Sequence, residues 1–146
     1  GSPDMTTGPV HATTVARWIP AAGWTGVLIT GPSGAGKSDL ALRLIGRGWR
    51  LVSDDYSHVF ASGGALYAAA PPPIAGRIEA RGLGIVAVPH LGLARLVLAV
   101  DCVTRPPERL PEPHRISVAG LDLPRLEVIA RHASAVEFIA AATAAL

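Results

Sequence analysis

Residues 31–38 read GPSGAGKS, an ungapped match to G-x-x-x-x-G-K-[ST], and the chemistry of that pattern is capture of a polyphosphate. Its glycines let successive backbone N–H groups turn inward around phosphate oxygens, and the helix that follows adds the positive end of its dipole. Lys37 is the only lysine in a chain with twelve arginines. A composition that uses Arg wherever the two cations are interchangeable marks the position that kept Lys. A compact ammonium sits among phosphate oxygens as a point charge, where a planar guanidinium would not fit the same cradle. Lys37 is thus expected to reach the β and γ phosphates of a nucleotide, and Ser38 to offer its hydroxyl to Mg²⁺. The plainer alternative, a Gly-rich turn with a solvated lysine, leaves the placement of the sole lysine unexplained.

Asp54 and Asp55 close the segment WRLVS at residues 49–53. If that segment is a strand of an open parallel sheet, the two acids face the same carboxyl-edge crevice as the glycine loop. Phosphoryl transfer leaves a protein mainly positioning and charge neutralisation to perform. One carboxylate can then order Mg²⁺ or its water shell, while the other takes the proton of an attacking hydroxyl. An acidic turn is the competing reading, since Asp is a common turn residue. A second cluster, IEARGLGIV at residues 78–86, offers Glu79 as a metal ligand and Arg81 to neutralise a transferring phosphoryl group. On the residues alone, an isolated Glu and Arg in a loop are more often a surface ion pair.

Several nucleotide-enzyme classes are excluded. No second lysine exists to build the N-K-x-D box of the GTPases, and neither V-A-I-K nor H-R-D of the common protein kinases is present. The acid that a dinucleotide fold places on its second strand is also missing at its usual distance.

The elements that must hold these residues follow from pattern and punctuation. HATTVARWI at 11–19 and TGVLIT at 25–30 read as strands about the PAAGW turn, a hairpin feeding the loop. Leu40, Ala41, Leu44 and Ile45 recur at helical spacing, so a helix is expected from Lys37 to about Arg47, with Gly48 at its left-handed end. HVFASGGALY reads as a hairpin about Gly63 and Gly64, Pro71 to Pro73 interrupt regular structure, and GIVAVPH and ARLVLAVDCV read as strands. After the Pro-rich connector TRPPERLPEPH, ISVAGLDLPRLEVIA offers two strands about Gly120. Ser134 with Glu137 has the form of a capping box opening a C-terminal helix.

A length of 146 residues is that of one domain. GSPDM reads as an expression scar ahead of Met5, so residues 1–9 are expected to be a disordered remnant and 10–146 a single domain. Apolar runs are broken by charge well short of a membrane span. The lone Cys102 suits a reducing compartment, which points to a soluble cytoplasmic protein. A net charge of +2 with dispersed arginines and few aromatics argues against nucleic-acid binding, and nothing indicates a membrane partner.

GPSGAGKSDLALRLIGRGWRLVSDD followed by EARGLGIVAV resembles the HPr kinase/phosphorylase family. The resemblance implies an α/β (α+β) fold: a mixed, strand-rich phosphate-loop kinase core similar to that of phosphoenolpyruvate carboxykinase, with few helices and one at the C-terminus. It implies that Gly31, Pro32, Ser33, Gly34, Ala35, Gly36, Lys37 and Ser38 bind ATP, and that a seryl hydroxyl of the phosphocarrier protein HPr is phosphorylated. By the resemblance Lys37 and Ser38 hold the phosphates and Mg²⁺, Asp55 becomes the proton acceptor with Asp54 beside it, and Glu79 maps to a second metal ligand; Asp54 on the metal and Arg81 on the transferring group stay as the residue chemistry above offers them. His11 and Arg109 match the family's histidine before the loop and its later arginine. The chain resembles the short form, the catalytic domain alone, and a homo-oligomer, typically a hexamer, is implied. IARHAS at 129–134 departs from the family's P-G-R-N-like segment, which bears on the reverse phosphorolysis. Two other readings compete: a small-molecule kinase of the shikimate or gluconate type, which alternates strands and helices throughout, and an ATP-binding regulatory module without transfer.

Overall fold

Strand β4, Gly23–Thr30, runs directly into the glycine loop. Its Val27 and Ile29 enter one core and Leu28 the other, the period-two division of a strand buried on both faces. In this computed structural model, which describes residues 4–5, 8–105 and 114–146, the functional candidates among those residues are placed relative to that strand.

β3, Thr13–Ile19, pairs antiparallel with β4 from Thr13 opposite Ile29 to Ile19 opposite Gly23. The expected hairpin therefore forms. β5, Arg50–Ser53, pairs antiparallel with the far side of β3. β4 and β5 are each antiparallel to β3, so they run in the same direction and end at the same edge. The sequence reading placed Asp54 and Asp55 at that edge through an open parallel sheet. They are there, but with an antiparallel strand interposed, and that strand brings its own N-terminal residues to the edge.

On the other side of β4 lies β10, Ala94–Cys102, parallel to it. Beyond come β12, Leu121–Val128, parallel to β10, then β11, His114–Val118, antiparallel to β12. The β11–β12 turn has Ala119 at φ 49 and Gly120 at φ 81, the two positive angles of a tight hairpin turn. β1, Asp4–Met5, pairs with β11, and β2, Gly8–Val10, pairs with β6, Ser57–Ser62. Pairing thus begins ahead of the expected start near Val10, because sheet edges on both sides offer free backbone groups to these residues. β6 forms the expected hairpin with β7, Ala65–Ala69, and β7 joins the start of β10.

Two cores result. One packs Val15, Val27, Ile29, Leu51, Leu98 and Val100 under helix α1, Lys37–Ile45, and helix α2, Ala135–Ala144. The other joins Leu28, Val52, Ala99 and Leu96 to Val59, Leu66 and Ala68 of the β6–β7 hairpin. The mixed, strand-rich sheet with a phosphate-loop helix and a C-terminal helix agrees with the expected fold class. α1 ends as foreseen: Gly48 takes φ 96, its N–H bonds the Ile45 carbonyl at 3.0 Å and the Trp49 N–H bonds that of Leu44 at 3.2 Å.

Three expectations change. Residues 77–87, in which only the start of GIVAVPH was expected as a strand, form a hairpin of β8, Arg77–Ala80, and β9, Gly84–Ala87. Four-residue strands are too short for alternation to declare them. The Pro71–Pro73 segment includes one 3-10 turn, Pro72–Ile74, which tolerates Pro at its start. Ser134 makes no side-chain cap, and Glu137 instead takes a 2.6 Å hydrogen bond from Arg47 Nη1. That hydrogen bond holds the Glu137 carboxyl below its usual range. Both side chains are more than half exposed, so the pair orients the helix ends more than it stabilises them.

Candidate active site

The glycine loop is clamped between two neighbours. Gly31 has φ 143, and a Cβ on it would stand 2.8 Å from the Cys102 carbonyl oxygen at the end of β10. Gly36, the N-cap of α1, has φ 93, and its Cβ would stand 3.1 Å from that of Ala130. These two glycines permit both the backbone angles and the close approach. Gly31→Ala is expected to cost about 3 kcal/mol, from overpacking plus a disfavoured φ, lowering Tm by roughly 6–12 °C in a thermal melt followed by circular dichroism. Cys102 serves here as packing: burial, with Asp101 adding to it, pushes its thiol up to about 11, far from a reactive thiolate.

Lys37 is the first residue of α1 and only 7% exposed. Its Nζ donates to the carbonyls of Gly31 at 2.8 Å and Pro32 at 3.1 Å, so the buried ammonium is held by the loop itself. It points back along the turn whose amides would face an anion.

Asp54, also 7% exposed, directly follows β5 beside this loop. Its Oδ1 accepts from Ser38 Oγ at 2.6 Å and from Thr13 Oγ1 at 3.1 Å, and its Oδ2 accepts from the Glu79 N–H at 3.0 Å. Three donors from three elements fix this carboxylate against the loop serine. Asp55 is exposed and turned the other way, with Oδ1 2.8 Å from His11 Nε2. Its φ is 65, and the Tyr56 N–H closes onto the Asp54 carbonyl at 2.7 Å. This is the rare positive-φ form of a three-residue turn, a strained geometry that surrounding contacts must hold.

The candidate residues divide accordingly. Lys37, Ser38, Asp54, Asp55 and His11 converge on one edge of the sheet. Glu79 reaches the cluster through its amide, while its side chain is exposed on β8; Arg81 is exposed in the β8–β9 turn. Arg109 lies outside the described residues. Among the described residues, no three His, Cys, Asp or Glu side chains converge as metal ligands. The neighbouring oxygens of Ser38 and Asp54 nevertheless fit Mg²⁺, which takes one or two protein carboxylates or hydroxyls and fills its octahedron with phosphate and water oxygens.

Sequence reading missed Thr13, whose buried hydroxyl touches both acids; a threonine in a β-branched run announces only a strand. A further acid at this edge, Asp101, is engaged by Arg125 and Thr30. A separate groove of about 440 Å³, which includes Thr25 and Arg95, lies at the opposite edge of the sheet, where β4 and β10 begin, and shares no residue with this cluster.

A glycine loop between strand and helix, with a carboxylate fixed onto its serine, has the form of an anion-binding loop. The HPr Serine kinase C-terminal domain matches residues 21–97, from the β3–β4 turn into β10, and this chain belongs to that family. Similar proteins include the HPr kinase/phosphorylase of Clostridium tetani, 52% identical over 66 residues, which are 45% of this chain and 22% of that protein. The HPr kinase/phosphorylase of Lacticaseibacillus casei is 49% identical over 67 residues, 45% of this chain and 21% of that one. The aligned part thus spans about a fifth of these relatives. The structure of the Hpr(Ser) kinase/phosphatase from Coxiella burnetii superposes with a TM-score of 0.77 at 26% identity, covering 94% of each chain. No helix among the described residues is long and apolar enough to cross a membrane.

Proposed function

We propose that this chain is an ATP-dependent serine kinase that phosphorylates a seryl hydroxyl of an HPr-type phosphocarrier protein. The observation that carries the reading is the meeting of Ser38 and Asp54 at 2.6 Å beside Lys37, with the Asp55–His11 pair next to it. Family membership supports the choice of acceptor.

In this reading, the loop amides and Lys37 take the polyphosphate, and Ser38 and Asp54 hold Mg²⁺. When bound, the ion neutralises charge spread over the β and γ phosphate oxygens. Asp55 accepts the seryl proton as the serine oxygen bonds to the γ phosphorus, and the bond from that phosphorus to the bridging oxygen breaks, releasing ADP. His11 fixes the face that Asp55 presents. Arg81 and Arg109 are assigned to charge on the transferring group. A homo-oligomer, with a hexamer as the size to test by light scattering, and a cytoplasmic setting belong to the same proposal.

The test is intact-mass spectrometry of purified HPr after incubation with this protein, ATP and Mg²⁺, beside a panel of small hydroxyl compounds. A gain of one phosphoryl group on an HPr serine is expected. Turnover of a small compound with HPr untouched would replace the reading with a small-molecule kinase, and ATP binding without any transfer would replace it with a regulatory module. Adding inorganic phosphate to the phosphorylated product tests the reverse reaction separately.

A further inference from the structure

We infer that Thr13 is the positioning residue of this site, its single hydroxyl holding the Asp54 carboxylate and the backbone of Asp55. The inference rests on the proposed reading of the site and names a residue that reading does not require.

Thr13 opens β3 and is fully buried. Its Oγ1 donates to Asp54 Oδ1 at 3.1 Å and accepts from the Asp55 N–H at 3.1 Å, so donor and acceptor capacity are both spent on adjacent acids. The first bond turns the Asp54 carboxylate so that the same Oδ1 meets Ser38 Oγ. The second grips the backbone of Asp55 inside the turn that holds it at φ 65. A positive φ in a non-glycine residue persists only when its surroundings over-determine it. The contacts available at this corner are few: the Tyr56 N–H to the Asp54 carbonyl, Ser53 Oγ to the Tyr56 carbonyl, the exposed His11 contact, and Thr13. Of these, only Thr13 touches both acids.

Position in the sheet explains why this residue can do so. Thr13 stands opposite Ile29 of β4, and its neighbour Thr14 stands opposite Ser53 of β5. The start of β3 is therefore wedged between the strand that feeds the glycine loop and the strand that feeds the acid pair. Thr14 faces elsewhere, sharing a 2.7 Å hydrogen bond with Ser57 that leads to the Ala12 carbonyl. The two threonines have separate tasks, and Thr14 serves as the internal control for loss of a buried hydroxyl.

The test compares Thr13→Val, which keeps the branched shape and removes the hydroxyl, with Thr13→Ser, which keeps the hydroxyl, and with Thr14→Val. Binding of a fluorescent ATP analogue is titrated against Mg²⁺, and the Asp55 amide is followed by hydrogen exchange. Thr13→Val is expected to raise the Mg²⁺ concentration for half-maximal binding about tenfold, a step of ~1.4 kcal/mol, and to speed exchange at Asp55. Thr13→Ser is expected to restore both, and Thr14→Val to leave the Mg²⁺ titration unmoved. Transfer to HPr by Thr13→Val should fall in kcat while KM for ATP at saturating Mg²⁺ holds. An unchanged Mg²⁺ titration in a folded Thr13→Val, or an equal loss in Thr14→Val, would overturn the inference. If Thr13→Val unfolds, a Thr13→Ser variant with wild-type titration and exchange sustains the hydroxyl's role and one with impaired values removes it. Should the wild type bind Mg²⁺ and nucleotide but leave HPr untouched, the proposed acceptor fails while the binding and exchange readouts still decide the role of Thr13.

Discussion

Asp55→Asn is expected to leave Mg²⁺-dependent ATP binding near the wild-type level and to lower transfer to HPr by about 10³-fold, within the range a positioned general base contributes. Asparagine is the informative substitute because of the backbone. Asp55 sits at φ 65, and Asn tolerates the left-handed region better than other residues with a Cβ, so the turn and its Thr13 contact survive. The amide can still hydrogen-bond His11, 2.8 Å away in the native protein, but it cannot accept the seryl proton. Asp54, with its three donors, is untouched, which keeps the metal-holding group in place. Asp55→Ala would confound the comparison by adding a disfavoured φ to the lost carboxylate. Single-turnover transfer beside calorimetric titration of ATP separates the two quantities. Transfer within a few-fold of wild type would take the base role from Asp55.

The glycine loop was legible because it is contiguous: eight residues between a strand and a helix carry their own conformational instructions, and Lys37 stood out by composition alone. The acid pair was legible because it ends a short apolar strand. The path that brings the pair to the loop was not, since it depends on β3 entering antiparallel between β4 and β5, a pairing of residues some forty positions apart. The same long-range pairing places His11, which the sequence supplied only as a match in type, within hydrogen-bond reach of Asp55. Thr13 was invisible for a related reason. Its side chain fits the β-branched texture of a strand, and its function arises from which partners face it. The Ser134–Glu137 pattern failed from the opposite cause, for a local motif lost its acid to Arg47, ninety residues away.

The interposed strand also ties stability to function. β3 contributes Val15 to the core beneath the helices and Ala16 to the core beneath the β6–β7 hairpin, so its register is set from both faces. A one-residue slip would invert both sets and withdraw Thr13 from the acids. The site's geometry is therefore inherited from the most deeply buried part of the sheet, while His11 and Asp55, the pair to which the proposed reading gives the proton, remain exposed at its edge.

Lys37→Arg is expected to lower kcat/KM for ATP by about 10³-fold or more, ~4 kcal/mol of transition-state stabilisation, although it conserves charge. The native ammonium is 7% exposed and bonded to two carbonyls of the loop it closes, at Gly31 and Pro32. Gly31 cannot yield outward, because it lies against the Cys102 carbonyl. A guanidinium is wider, planar and fixed in its donor geometry, so it must either displace the loop or leave it. Comparing Lys37→Arg with Lys37→Ala separates shape from charge: if shape decides, both variants lose transfer to a similar degree, whereas recovery of most activity by Arg would refute the point-charge argument. The composition supplies a second readout. Because the chain has no other lysine, an amine-reactive reagent followed by peptide mapping reports on this one side chain, and ATP with Mg²⁺ is expected to slow its modification in the wild type. Labelling of Lys37 at the same rate with and without nucleotide would place the polyphosphate somewhere other than this loop.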